Sequence, residues 1–374
     1  MLQRLLLHKS ATQQKHHSSN VAQTIKMIID ELYMYRCLEL AAKGAGYVAP
    51  NPMVGAVLVY NNRIIGEGYH EQYGQAHAEV NCINSVVAKD KHLIADATMY
   101  VSLEPCAHYG KTPPCADKII AENIKHVIIG CRDPFKEVDG KGIEKLQVAD
   151  INITLGILEN ECKEMNKRFF TFQTKHRPYI ILKWAQTANK KIALVNDERL
   201  LISNDLTNKL VHKWRSEEAA ILVGTNTVLL DDPALNNRLW SGRNPLRLIV
   251  DMHLRLPFSL KVFNKQQASV VFNLLQHDMN DSGLSYYRVT EDVSIVHQVL
   301  NACYQHNIQS ILVEGGAKLL QSFIDEGAWD EARVITNELL TVEQGLPAPT
   351  LNYFSLLQTE HLLNDKMEYY RQSQ

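Results

Sequence analysis

His77-Ala78-Glu79, followed by Leu103-Glu104-Pro105-Cys106-Ala107-His108-Tyr109-Gly110-Lys111-Thr112-Pro113-Pro114-Cys115, is the stretch around which the chain is organised. A neutral imidazole and two thiolates are the nitrogen and sulfur donors that zinc prefers, and three such ligands leave one tetrahedral position open. Glu79 stands just beyond the first donor, placed to take a proton from a water at the metal and deliver it to a leaving amine. A closed structural site needs a fourth protein ligand. His70 or His108 could supply one, but Glu79 would then have no evident purpose.

His-x-Glu followed by Pro-Cys and a second Cys, with the Glu outside the metal shell, is the signature of zinc nucleobase deaminases. Here the two Cys enclose eight residues where that signature has two. With this insertion the stretch resembles the riboflavin-biosynthesis deaminases of the bifunctional RibD family, over roughly residues 30–150. The resemblance implies one Zn2+ per chain on His77, Cys106 and Cys115, with Glu79 as the catalytic proton shuttle, and it implies that Asn51, His70, His108 and Lys111 bind a phosphoribosyl pyrimidine. Taken alone, Asn51 and His70 read as a turn former and a surface polar residue, and His108 and Lys111 as solvated loop residues.

Outward from this stretch the pattern is α/β. Apolar groups at helical spacing from Asp30 to Ala42 predict a helix ending before Gly44, and Val54–Tyr60, Asn61-Asn62 and Arg63–Gly68 predict a hairpin. Helices are expected at Ala76–Ile83 and Ala116–Ala121, and strands at Thr98–Ser102 and His126–Gly130. Alternating elements of this kind predict a three-layer α/β domain, which resembles the cytidine-deaminase fold and is placed at 30–175. Residues 1–29 carry a polar tract with little periodicity and are expected to form a mobile extension, in which His16 and His17 lack a fixed metal-binding geometry.

The pattern restarts near residue 175, giving a second α/β domain at 176–374 with strands at 179–184, 219–224, 246–251, 268–272 and 310–314. Glu314-Gly315-Gly316 sits where a strand feeds the helix Ala317 to Ile324, an arrangement that brings backbone close to a phosphate. By itself Gly-Gly is equally a tight turn. Trp214-Arg215, Gly224–Leu235 and Arg238 resemble the RibD reductase domain, and with Glu314–Gly316 the likeness spans most of 178–325. It implies a dihydrofolate-reductase-like fold that uses NADPH. Cofactor contacts are expected from Ala185, Thr227, Asp231, Gly316, Ala317, Lys318, Leu319, Leu320, Gln321 and Ser322, and substrate contacts from Arg215, Leu235, Arg238, Glu314 and Lys183. Some positions depart from the family pattern: Thr187-Ala188-Asn189-Lys190 stands for Ser-Leu-Asp-Gly, Leu201-Ile202-Ser203 for Trp-Ile-Thr or Trp-Ile-Ser, and Met252 for a Ser. A deaminase whose second domain does not reduce is the alternative reading.

Length and composition set the frame. The 374 residues are enough for two domains with their own cores. A formal net charge of −2 gives no general attraction to a polyanion, so a small substrate is expected rather than nucleic acid. Seven scattered Cys predict a reducing cytoplasm, no apolar run approaches a bilayer span, and a homo-oligomer is expected.

Overall fold

A computed structural model describes residues 24–110, 113–196, 198–278 and 283–373. The chain divides into two compact units between Thr174 and Lys175.

The first unit begins with α1 (24–42), which buries Met34, Cys37, Leu38 and Ala41. Its described part reaches back six residues before the expected start at Asp30. Ile25, Met27 and Ile28 there are about half exposed, so no buried face marks these turns in the sequence. Strands β1 (Gly55–Tyr60) and β2 (Arg63–Tyr69) form the expected hairpin, with Asn61 and Asn62 at φ 47° and 59°. Then follow α2 (Ala78–Asn84), β3 (Thr98–Leu103), α3 (Cys115–Ala121), β4 (His126–Cys131), α4 (Lys141–Val148), β5 (Asn152–Leu155), α5 (Glu159–Met165) and α6 (Lys167–Lys175). The sheet order is β2-β1-β3-β4-β5, antiparallel across β2-β1-β3 and parallel from β3 to β5.

Both faces of this sheet are covered, which is why its central strands read as continuous apolar runs. Ala56 and Leu58 point to one side, where Ala78, Cys82, Ile119 and Leu146 of α2, α3 and α4 pack. Val57 and Val59 point to the other, against Met34, Leu38 and Cys162 of α1 and α5. The result is a three-layer α/β unit.

The second unit contains β6 (Tyr179–Thr187), β7 (Lys191–Leu194), α7 (Asp205–Glu217), β8 (Ala220–Gly224), α8 (Thr225–Asp231), β9 (Leu246–Val250), β10 (Ser269–Asn273), β11 (Leu284–Arg288), α9 (Ile295–Gln305), β12 (Ser310–Val313), α10 (Ala317–Asp325), β13 (Glu331–Asn337), β14 (Gly345–Pro347), β15 (Phe354–Leu362) and β16 (Asp365–Gln372). Nine strands run in the order β11-β10-β9-β8-β12-β6-β13-β16-β15, and β7 pairs with β14. The ladder is parallel from β11 to β13 and antiparallel beyond it. Helices α9 and α10 bury Val296, Leu300, Leu320 and Phe323 on one face. On the other lie Val211 and Trp214 of α7 and Val228 of α8. The parallel strands β8, β12 and β6 therefore end side by side, and crevices outside the carboxyl ends of such strands are where open α/β sheets bind ligands.

Candidate active sites

In the first unit the metal donors are set by how closely α2 lies on β2. A Cβ at Gly68 would overlap the backbone nitrogen of Cys82, so only glycine permits this approach. His77 is the N-cap of α2, and Cys115 is the first residue of α3. Cys106, beyond the end of β3, is tied to α3: Ala116 N–H donates to its carbonyl at 3.1 Å and Cys115 N–H to its Sγ at 3.4 Å. His77 Nδ1 then lies 3.5 Å from Cys106 Sγ and 3.4 Å from Cys115 Sγ. Donors held at about 2.0–2.3 Å from one tetrahedral zinc stand about 3.5–3.8 Å apart, so the residues fit that ion. Among the described residues they are the one set of three His, Cys or carboxylate donors gathered closely enough for a metal.

The sulfur chemistry agrees. A hydrogen bond from the Cys115 thiol, then one from His77, pulls Cys106 down to about 4, while Cys115 is raised by the same bond and by burial. Two sulfurs held this close favour loss of a proton from the pair, and metal binding likewise requires deprotonated thiols.

Glu79, in the first turn of α2, is buried beside these donors. Burial first and the Cys106 sulfur second push its carboxyl up to about 7, the range of a group that takes and returns a proton near neutrality. Asn51 and His70 meet at the same edge. His70 Nδ1 is 3.1 Å from the carbonyl of Ala76 and so carries the ring proton, leaving Nε2 to accept from Asn51 Nδ2 at 3.1 Å. Burial lowers the His70 pKa, in keeping with a neutral ring. The His70 and His77 rings stand edge to face, with centroids 5.1 Å apart. His108 packs on Phe135, and its buried Nδ1 has no hydrogen-bond partner among the described residues. Lys111 lies outside the described residues.

In the second unit, Glu314 lies one residue beyond β12. Both its oxygens accept from Arg215 of α7 at 2.7 Å, and Lys183 of β6 approaches at 3.5 Å. Burial alone would raise this carboxyl, but Arg215 and then Lys183 outweigh it and hold it at about 2. Burial in turn lowers the Lys183 ammonium against the pull of Glu314. Arg238 is exposed, and its backbone N–H donates to His212 Nδ1 at 3.1 Å. His212 was not singled out in the sequence, although it sits one turn before Arg215 on α7. It is held neutral, at about 4, by burial first and then by Arg215 and Arg238.

Gly316, at φ 65°, starts α10, and a Cβ there would stand 3.3 Å from the Thr227 hydroxyl of α8. Thr227 and the first-turn amides of Ala317, Lys318 and Leu319, which their own helix does not engage, thereby share one end of the sheet. Leu320 is packed in the core, Gln321 binds the Thr350 backbone, and Ser322 donates to the Lys318 carbonyl. Asp231, pushed up by burial, faces Arg199 at 4.0 Å. Ala185 lies on β6 and is partly buried. Leu235 is buried at φ 51°, leaving its main chain as its polar part. At the departures, Lys190 adopts φ 58°, the left-handed conformation that a glycine takes without cost; Asn189 donates to the Val342 carbonyl; and Leu201 is exposed.

Residues 27–131 match the family model described as the cytidine and deoxycytidylate deaminase zinc-binding region, and residues 178–341 match the RibD C-terminal domain. Riboflavin biosynthesis protein RibD of Aquifex aeolicus is 41% identical over 308 residues, covering 81% of this chain and 85% of that protein. The Escherichia coli protein of the same name is 33% identical, covering 81% and 86%. The crystal structure of a diaminohydroxyphosphoribosylaminopyrimidine deaminase/5-amino-6-(5-phosphoribosylamino)uracil reductase from Thermotoga maritima superposes with a TM-score of 0.84 at 36% identity, over 93% of this chain and 99% of that one. Acinetobacter baumannii RibD gives a TM-score of 0.85 at 30% identity, over 93% and 100%.

Proposed function

The chain belongs to the RibD family of riboflavin biosynthesis proteins, and from that membership we propose which of its own residues serve each of the family's two reactions. The enzyme is bifunctional. It deaminates 2,5-diamino-6-(5-phosphoribosylamino)pyrimidin-4-one and then reduces the ribosyl group to ribityl, using Zn2+ and NADPH.

For the first reaction, His77, Cys106 and Cys115 hold the zinc, which when bound supplies the Lewis acidity that makes water nucleophilic at neutral pH. Glu79 accepts the proton that water releases on attacking the amino-bearing carbon, and returns it to the nitrogen that departs as ammonia. Asn51 and His70 hold the pyrimidine, each fixed by the other's hydrogen bond. His108 and Lys111 meet the phosphoribosyl part.

For the second, NADPH supplies the hydride that reaches C1 of the ribosyl group. Thr227, Asp231 and the backbone from Gly316 to Leu319 seat its phosphates and sugar, with Ala185 on the approach, while Leu320 supports that turn from the core and Gln321 and Ser322 hold it through their bonds to Thr350 and Lys318. Arg215, Arg238, Lys183 and Glu314 hold the substrate, with the Leu235 main chain beside them. The buried carboxylate beside the His77–Cys106–Cys115 set carries the deaminase reading.

We further read the protein as a cytoplasmic homo-oligomer that acts on small molecules without nucleic-acid or membrane partners. Support comes from seven unpaired thiols, a formal net charge of −2, and an edge strand β15 that exposes Phe354, Leu356 and Leu357. No helix among the described residues is long and apolar enough to cross a membrane.

The test follows ammonia release and NADPH absorbance together on the diaminopyrimidinone phosphate. Ammonia release followed by NADPH oxidation is expected; zinc-loaded protein that gives neither signal would sink the assignment.

A further inference from the structure

Glu104 is buried, and it stands between β3 and the metal ligand Cys106. Four backbone N–H groups converge on its carboxylate. Oε2 accepts from Asp133 at 3.3 Å and Gly140 at 3.1 Å, and Oε1 accepts from Gly142 at 3.0 Å and Ile143 at 3.3 Å. Backbone donors and the start of α4 thus receive a charge that would otherwise be costly in this interior. On the same side α4 presses on the Cys106 segment, because a Cβ at Gly142 would overlap the Pro105 carbonyl oxygen. The loop held in this way carries Phe135, whose backbone N–H donates to Asp133 Oδ1 at 2.8 Å and whose ring packs on His108.

We propose that Glu104 is a positioning residue of the deamination: by clamping the 133–143 loop to the strand end before Cys106, it seats Phe135 against His108 and so fixes the wall of the site that receives the phosphoribosyl part. Glu104 touches neither metal nor reacting atoms; it acts through His108. A side chain with one acceptor oxygen cannot reproduce the clamp, since an amide NH2 would face two N–H donors head on. Supporting residues around metal sites change activity by about 10–100-fold when altered.

The inference rests on the deaminase reading, which wild-type ammonia release tests separately. Glu104→Gln is expected to raise KM for deamination about tenfold or more. It should change kcat much less, keep one zinc per chain, and leave NADPH oxidation on the deaminated intermediate within about twofold, since the second unit is untouched. Phe135→Ala, which leaves the clamp intact, should raise the same KM. A Glu104→Gln protein whose KM for deamination is unchanged, whether or not its zinc content falls, would overturn the proposal and leave a structural role. Should Glu104→Gln be insoluble, Phe135→Ala decides: a raised KM supports the relay to His108, and an unchanged KM overturns it.

Discussion

Glu79 and Lys190 are two residues whose surroundings make sharp demands. Glu79→Gln keeps the shape and removes the proton acceptor. Ammonia release should fall by about 10²–10⁴-fold, while NADPH oxidation on the deaminated intermediate continues at the wild-type rate. Equal loss of both signals would contradict a role confined to the first unit. Lys190 at φ 58° is a β-carbon in a conformation that costs an L-residue about 1–2 kcal/mol, partly offset by the extra chain entropy a glycine has when unfolded. Lys190→Gly should therefore raise the urea midpoint by the equivalent of about 0.5–1 kcal/mol. The gathering of His77, Cys106 and Cys115 beside Glu79 was legible because such a donor set is written in residue type and spacing. Glu104 and His212 were not: a lone Glu and a lone His carry no signal until folding brings backbone N–H groups onto them.

At the level of elements, the end of β12 joins α7 through Arg215 and Glu314 and β6 through Lys183 and Glu314. Removing the carboxylate leaves two buried cations facing each other, so Glu314→Gln should destabilise the second unit by about 3–5 kcal/mol at pH 7. The pH dependence has a definite sign. The unfolded carboxyl titrates near 4.5 and the folded one near 2. The unfolded state therefore binds the proton first, and the stabilisation is full above about pH 5.5 and lost as pH falls from there towards 2. Urea midpoints of wild type and Glu314→Gln should converge across that window; a constant difference would argue against the pair. The turn into α10 makes a second demand. Gly316→Val forces a branched side chain into φ 65° beside Thr227, and should weaken NADPH binding by about tenfold or more in a fluorescence titration, with ammonia release unchanged. Strands buried on both faces, such as β8 and β12, were read from their apolar runs. Strand β15 was not, because its exposed residues have no buried face to impose alternation.

Across the whole molecule, each unit buries its own core, and the sequence marks the division by the restart of its pattern near residue 175. Chelation should therefore act on one half of the chemistry. Stripping zinc is expected to abolish ammonia release and lower the thermal transition of the first unit, while reduction of the deaminated intermediate and the transition of the second unit stay in place. Calorimetry with and without chelator, paired with NADPH absorbance, checks both. Loss of reduction on chelation would mean that the two units are not energetically independent. The three metal donors and Glu79 also come from one uninterrupted run, His77 to Cys115, that precedes every residue of the reductase unit. In the order of synthesis, then, every candidate donor and the carboxylate beside it are already in the chain before the first residue of the hydride-transfer half is added.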